Sequence, residues 1–254
     1  MSYLDFFLLL LAGITAGFVN TTIGGGWFIL FPSVFSLGLS PVVSNITTTC
    51  TLLGGYYFHE RRCQKSWRLA KNNYLIFAIS ILGGLTGACA LVFLMPWVFE
   101  LMGPYLLLVS WLIFVFQNKI TEYLLNRSKK NTISFEYSHS KLLPLLILSI
   151  YGTYIGAGIG IFLKFFFSSY RVRQQFEIEK IKYYFIILNG ISGMSVFIAS
   201  GLIEWPYLLI TLTGAIVGSH ISGFLNKRHY RKLQSLIVII GAVVMLYFLK
   251  IIRF

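Results

Sequence analysis

Negative charge is what this sequence has least of. Eight Asp and Glu stand against 21 Lys and Arg in 254 residues, and charged residues of both signs make up 11% of the chain. A soluble globular domain carries about 25%, so this composition cannot furnish a water-facing surface. With 57% hydrophobic residues and a mean hydropathy of +0.77, the chain reads as a multi-pass protein of the cell (inner) membrane. The acids (Asp5, Glu60, Glu100, Glu122, Glu136, Glu177, Glu179, Glu204) fall near the ends of apolar runs or between them. Cation pumps usually rely on a carboxylate inside the membrane, and none is placed there. Cysteine is equally sparse: Cys50, Cys63 and Cys89 have neither metal nor disulfide spacing. No metal or other cofactor is expected. A basic leading segment and a small-residue cleavage site are also lacking, so no cleavable signal is read.

What is abundant is aromatic and basic. The 23 Phe and 15 Tyr suit lipid-facing surfaces and interfacial belts. The net charge of +13 raises a nucleic-acid reading. The basic residues, however, sit in short loops between apolar runs, where retention on the cytoplasmic side accounts for them. Nucleic acid is therefore not an expected partner.

Two apolar stretches are broken by glycine. Asn20–Pro32 contains Gly24-Gly25-Gly26, and Gly152–Lys164 contains Gly156, Gly158 and Gly160. Each helical glycine costs about 1 kcal/mol relative to alanine, and irregular backbone at membrane depth is tolerated only inside protein or against a wet cavity. A pair of such interruptions in corresponding halves points to a transporter's binding site.

Apolar segments of spanning or near-spanning length run over 44–58, 73–95, 104–118, 183–200, 207–225 and 233–249, three after each glycine-broken stretch. Loops 38–44, 96–103 and 201–206 contain no Lys or Arg, whereas 59–71, 119–141, 164–182 and 226–232 are rich in them. With basic loops inside, segment 142–163 enters and leaves on the same side as a re-entrant hairpin, and 4–37 does the same from outside. The expected fold is an all-α polytopic membrane protein with two inverted repeats. Each is a Gly-broken re-entrant helical hairpin plus three transmembrane helices. Repeat 1 covers 1–118, a cytoplasmic linker 119–141 and repeat 2 142–254, all within one membrane domain. A shared marker, Ser66-Trp67-Arg68-Leu69 and Glu204-Trp205-Pro206-Tyr207, opens the same span in each half. Eight full spans are the alternative, and whether the two segments are re-entrant or broken spans stays open.

The run Ala16-Gly17-Phe18-Val19-Asn20, Gly24-Gly25-Gly26, Pro32, Leu37-Gly38-Leu39-Ser40-Pro41 and Asn45-Ile46-Thr47-Thr48-Thr49 resembles the first repeat of the TauE/SafE sulfite-exporter family. Tyr151–Gly160, Asn189-Gly190-Ile191-Ser192-Gly193 and Trp205-Pro206 resemble its second. The resemblance implies a permease for sulfite, sulfonates or related organosulfur acids. This sequence departs from the family pattern at Lys180-Ile181-Lys182-Tyr183-Tyr184 and in a longer, more polar loop over 168–180.

An anion in a bilayer needs donors more than it needs buried cations. Successive backbone N–H groups of a glycine turn form an anion-binding concavity, and a half-helix that starts there adds its positive end. The expected substrate-binding residues are therefore Gly24, Gly25 and Gly26 with Asn20, Thr21 and Thr22 beside them; Asn45, Thr48 and Thr49 on the next span; and Tyr154, Gly156, Gly158, Gly160, Lys164 and Asn189 opposite. Other roles compete: the glycines as packing surfaces, Lys164 as a snorkelling cation, and the Thr47–Thr49 hydroxyls as donors to their own helix. An enzyme reading also exists, since Gly190-Ile191-Ser192-Gly193 spells the G-x-S-G of rhomboid-like intramembrane proteases and His220 lies on the next span. A channel-like conductor of another small anion is the nearer rival. Expected partners are a small anionic substrate and the lipid bilayer, with a homodimer left open.

Overall fold

The computed structural model describes residues 3–22, 24–59, 74–94, 97–99, 101, 105, 112, 116, 142–168 and 175–223. The expected segments at 233–249 and, save for a few residues, 104–118 lie outside these. So do the linker 119–141 and the Trp67 marker.

The described residues are helical, with no strand among them. In chain order they form α1 (Tyr3–Thr22), α2 (Trp27–Phe35), α3 (Pro41–His59), α4 (Tyr74–Cys89, continued by a π-helical turn over Ala90–Leu94), α5 (Leu142–Tyr154), α6 (Ile159–Ser168), α7 (Gln175–Ser200) and α8 (Trp205–Ser222). Three stretches are long and apolar enough to cross a membrane: Tyr3–Thr22, Tyr74–Leu94 and Lys180–Ser200. α1 is thus not a half-helix. At about 1.5 Å per residue, its 20 residues match a hydrocarbon core of about 30 Å, whereas α2 with nine reaches roughly half of that.

Local chemistry sets the boundaries. Gly38, at φ +88°, closes the turn that ends α2, its N–H bonded to the Phe35 carbonyl. Ser40 then caps α3, receiving the Val43 N–H on its Oγ, with Pro41 at the first helical position. α8 also has a proline, Pro206, in its first turn, but no side chain caps it.

The helices pair across the two halves of the sequence. α1 lies along α8 with backbones in contact: a Cβ on Gly13 would stand 2.5 Å from the Thr211 carbonyl oxygen, and one on Gly214 2.6 Å from that of Leu10. Gly17 and Gly218 continue the seam against Ala215 and Ile14. With lipid tails as apolar as leucine, close backbone approach of this kind is what holds membrane helices together. Hydroxyls fasten the bundle further, Thr21 Oγ1 to Ser222 Oγ at 2.8 Å and Thr51 Oγ1 to Thr211 Oγ1 at 2.7 Å.

α4, α5 and α7 form the counterpart. Gly83 and Gly87 press on Ser149 and Ile150 of α5, and Gly84 on Asn189 and Ser192 of α7. Ser80 Oγ donates to the Phe185 carbonyl, and Ser149 Oγ to the Ser80 carbonyl. The larger apolar core gathers around Trp27, Phe28, Leu30, Phe31, Ile46 and Leu91, and a smaller one around Phe77, Leu163, Phe167 and Phe185. Leu4, Phe7, Leu82, Leu143, Leu209 and Val217 are exposed on the outer faces, where lipid would cover them.

Candidate functional site

Both glycine stretches are turns between helices, and both use a left-handed residue after an isoleucine. At the first turn the Gly24 N–H bonds the Val19 carbonyl at 3.1 Å, with φ +89° at Gly24. Gly25 and Gly26 are buried, and α2 begins at Trp27 with no side chain capping it. At the second, the Ile155 N–H closes α5 on the Tyr151 carbonyl, Gly156 and Gly158 lie at φ +78° and +71°, and Tyr151 Oη donates to the Ala157 carbonyl at 2.9 Å. A left-handed backbone favours glycine because a Cβ would crowd the following carbonyl.

The two turns meet at the N-terminal half of α3. Trp27 Nε1 donates to Asn45 Oδ1 at 2.9 Å, and Asn45 Nδ2 donates to the Tyr154 carbonyl at 2.9 Å. One fully buried amide therefore links the start of α2 to the end of α5. One turn further along the same face lie Thr48 and Thr49. A Cβ on Gly156 would stand 2.5 Å from Thr49 Oγ1 and 3.3 Å from Trp27 Nε1, so the second turn abuts both the threonine and the tryptophan.

The Thr47, Thr48 and Thr49 hydroxyls are buried and have no hydrogen-bond partner. The competing role, donation to their own helix, is not what they do. That behaviour is usual elsewhere in the chain: Thr15, Thr21, Thr22, Thr86, Thr211 and Thr213 all bond carbonyls three or four residues back. A buried hydroxyl without a partner costs about 1–3 kcal/mol, and here three are consecutive.

The other residues singled out in the sequence are placed as follows. Asn20 is half-buried against Gly26, where a Cβ would come 2.7 Å from its own. Thr21 turns to Ser222 on α8, and Thr22 to the Phe18 and Val19 carbonyls, so neither hydroxyl joins the Asn45 cluster. Gly160 opens α6 with only Ile186 nearby, at 3.9 Å from its would-be Cβ. Lys164 is in α6, and its side chain lies outside what the structure describes. Asn189 is occupied by helix-joining bonds: it accepts from Thr153 Oγ1 at 2.8 Å, and its Nδ2 faces the Ser149 carbonyl and hydroxyl and the Ser80 carbonyl. Lys180, where the sequence departs from the family pattern, is 9% exposed at the start of the Lys180–Ser200 span.

The rhomboid-like pair is not brought together. Ser192 Oγ donates to the Asn189 carbonyl inside the α4–α7 contact, while His220 is exposed on α8 with Nδ1 at 2.8 Å from the Ile216 carbonyl. Among the described residues no His/Cys/Asp/Glu group could hold a metal ion.

Sequence reasoning passed over Trp27 and Phe99. Trp27 is 2% exposed and stacks on Phe31 at 4.3 Å. Phe99, beyond α4, packs edge-on against Phe31 and Tyr154 together. An indole N–H immediately after a glycine triplet was the available signal for the first. For the second there was none, because its partners are remote in the chain.

The chain is 23% identical over 245 residues to "Probable membrane transporter protein YfcA" of Escherichia coli K12, covering 93% of this chain and 86% of that one. It is 22% identical over 222 residues to a "Probable membrane transporter protein" of Haemophilus influenzae, covering 84% and 82%. No solved structure is significantly similar. The family model described as Sulfite exporter TauE/SafE matches residues 9–248. Spanning nearly the whole chain and both glycine turns, that match places the protein in the TauE/SafE family of membrane transporters.

Proposed function

We propose that the protein is a multi-pass permease of the cell membrane that moves a small sulfur-containing anion, such as sulfite or a sulfonate. The anion is held where the two glycine turns meet α3, near the bilayer midplane. The observation that carries this reading is the set of buried, unpartnered hydroxyls of Thr48 and Thr49 beside Asn45, at the meeting point of both turns. A buried donor without a partner fits a position that a ligand fills. The uncapped start of α2 adds a positive helix end, and the sulfur class comes from the family description alone.

The same reading takes 1–118 and 142–254 as inverted repeats around the cytoplasmic linker 119–141, rocking about the turns in alternating access. Two features support it. Left-handed Gly24 and Gly156 occupy matching places in Ile-Gly-Gly-Gly and Ile-Gly-Ala-Gly. The pairing of α1 with α8 is also mirrored by that of α5 with α4. A channel-like conductor of another small anion keeps a place because the acids are read at span ends or in loops, Asp5 falling in the first turn of α1.

Proteoliposome flux tests the reading with sulfite and small sulfonates, alone and in competition, for wild type, Gly25→Leu and Lys164→Gln. Saturable flux abolished by Gly25→Leu is expected, and a selective Lys164→Gln effect would bring that charge into the site. Non-saturating flux would favour the conductor. Absence of flux for every sulfur anion would overturn the substrate class.

A further inference from the structure

Resting on the anion site just described, we infer that Trp27 is a positioning residue: its indole N–H occupies the carbonyl of Asn45, keeping the donors around Asn45 free for an anion. The orientation of the Asn45 amide follows from chemistry. An indole nitrogen only donates and a backbone carbonyl only accepts, so the oxygen must face Trp27 and the nitrogen Tyr154. Both single bonds are 2.9 Å long. The amide nitrogen carries two hydrogens, and the Tyr154 carbonyl takes one. The second N–H, with the Thr48 and Thr49 hydroxyls three and four residues on, forms a one-sided set of donors on the buried face of α3.

Without the indole N–H, the Asn45 oxygen would be a buried acceptor with no partner. The nearest donors one turn along its own helix are those two hydroxyls. Satisfying the oxygen would commit their protons to Asn45 and remove them from the ligand's reach. Trp27 thereby keeps the Asn45 oxygen from competing for the Thr48 and Thr49 hydroxyl protons, which stay available to an oxyanion. The indole is well placed to do so. It is itself held by stacking on Phe31, with Phe28 edge-on at 6.0 Å, and Gly156 gives the second turn room to approach its edge.

The test replaces Trp27 by 3-benzothienylalanine, which keeps the fused-ring shape and loses only the N–H, and separately makes Trp27→Phe. Sulfite affinity is read by ligand-induced thermal stabilisation of the purified full chain, and KM and maximal rate by proteoliposome flux. The expected result is about tenfold weaker sulfite affinity and a raised KM for the benzothienyl variant, with its unliganded melting temperature close to wild type. 5-Fluorotryptophan at the same position, which retains the N–H, should restore wild-type affinity. A merely structural tryptophan would instead lower melting temperature and maximal rate while leaving KM in place, and that result overturns the inference. So does wild-type affinity in the benzothienyl variant when the wild type itself binds. Failure of the wild type to bind or move any sulfur anion would overturn the anion site first, and this role of Trp27 with it.

Discussion

Replacing Thr48 with valine should separate stability from transport. Valine has nearly the shape of threonine with a methyl in place of the hydroxyl. Thr48 is 0% exposed, and its hydroxyl has no partner in the folded chain. Losing it therefore breaks nothing and relieves a buried, unsatisfied polar group. In water-soluble proteins such relief is worth about 1–3 kcal/mol, and in membranes polar contributions average nearer 0.6. Stability should stay level or rise by up to about 1 kcal/mol, or ~3 °C in melting temperature for a domain of this size. Thr211→Val is the control. Thr211 is equally buried but shares a 2.7 Å bond with Thr51, so the same substitution should lower stability by about 0.5–1.5 kcal/mol. Sulfite flux should behave in the opposite sense, falling severely in Thr48→Val and in proportion to folded protein in Thr211→Val. Thermal unfolding by size-exclusion in detergent, alongside proteoliposome flux, measures both. If Thr48→Val lost as much stability as Thr211→Val, the hydroxyl would have a protein partner, and the argument that a ligand fills its place would fail.

Gly156→Ala, at φ +78° and against Thr49, should cost about 1–2 kcal/mol and abolish flux, whereas Gly160→Ala, helical and meeting only an ordinary contact with Ile186 at 3.9 Å, should stabilise by a few tenths to about 1 kcal/mol; thermal unfolding of the pair checks both. Asn189→Leu leaves the Thr153 hydroxyl without this partner and removes the amide's bonds to Ser149 and Ser80, so it should lower the yield of monodisperse protein far more than it alters KM in what remains. Ser192→Ala should retain flux, because its hydroxyl does no more than bond the Asn189 carbonyl; complete loss with intact folding would revive a nucleophilic role.

Local features were the legible part. Apolar runs marked α3, α4, α7 and α8, and glycines located both turns, because these depend on composition within about 20 residues. The loop charges read 4–37 as a re-entrant hairpin by analogy with 142–163, and say nothing of how long its first helix is. In the structure only Gly24–Gly26 break the chain, while Gly13 and Gly17 stay helical and serve as contact surface against α8. Asn45, Thr48 and Thr49 were identified from polarity in an apolar run. Asn189 was singled out by the same reasoning, yet its bonds hold α4, α5 and α7 together. Polarity marks a buried asparagine, but it does not say whether neighbouring helices have already satisfied it. That is decided by partners 36 to 109 positions away, beyond the reach of any periodicity.

The pairing of α1 with α8 also governs how the chain is made. The bond from Thr21 to Ser222 closes a separation of 201 residues. At about 5–20 residues per second, α1 waits roughly 10–40 seconds after its own synthesis before its partner exists. During that time the Gly13–Gly17 groove can meet only lipid, other nascent helices or the insertion machinery. Correct assembly is therefore a matter of timing as well as of fit. The bundle of α1, α3 and α8 can close only once α8 has been made, while α4, α5 and α7 are complete some twenty residues sooner.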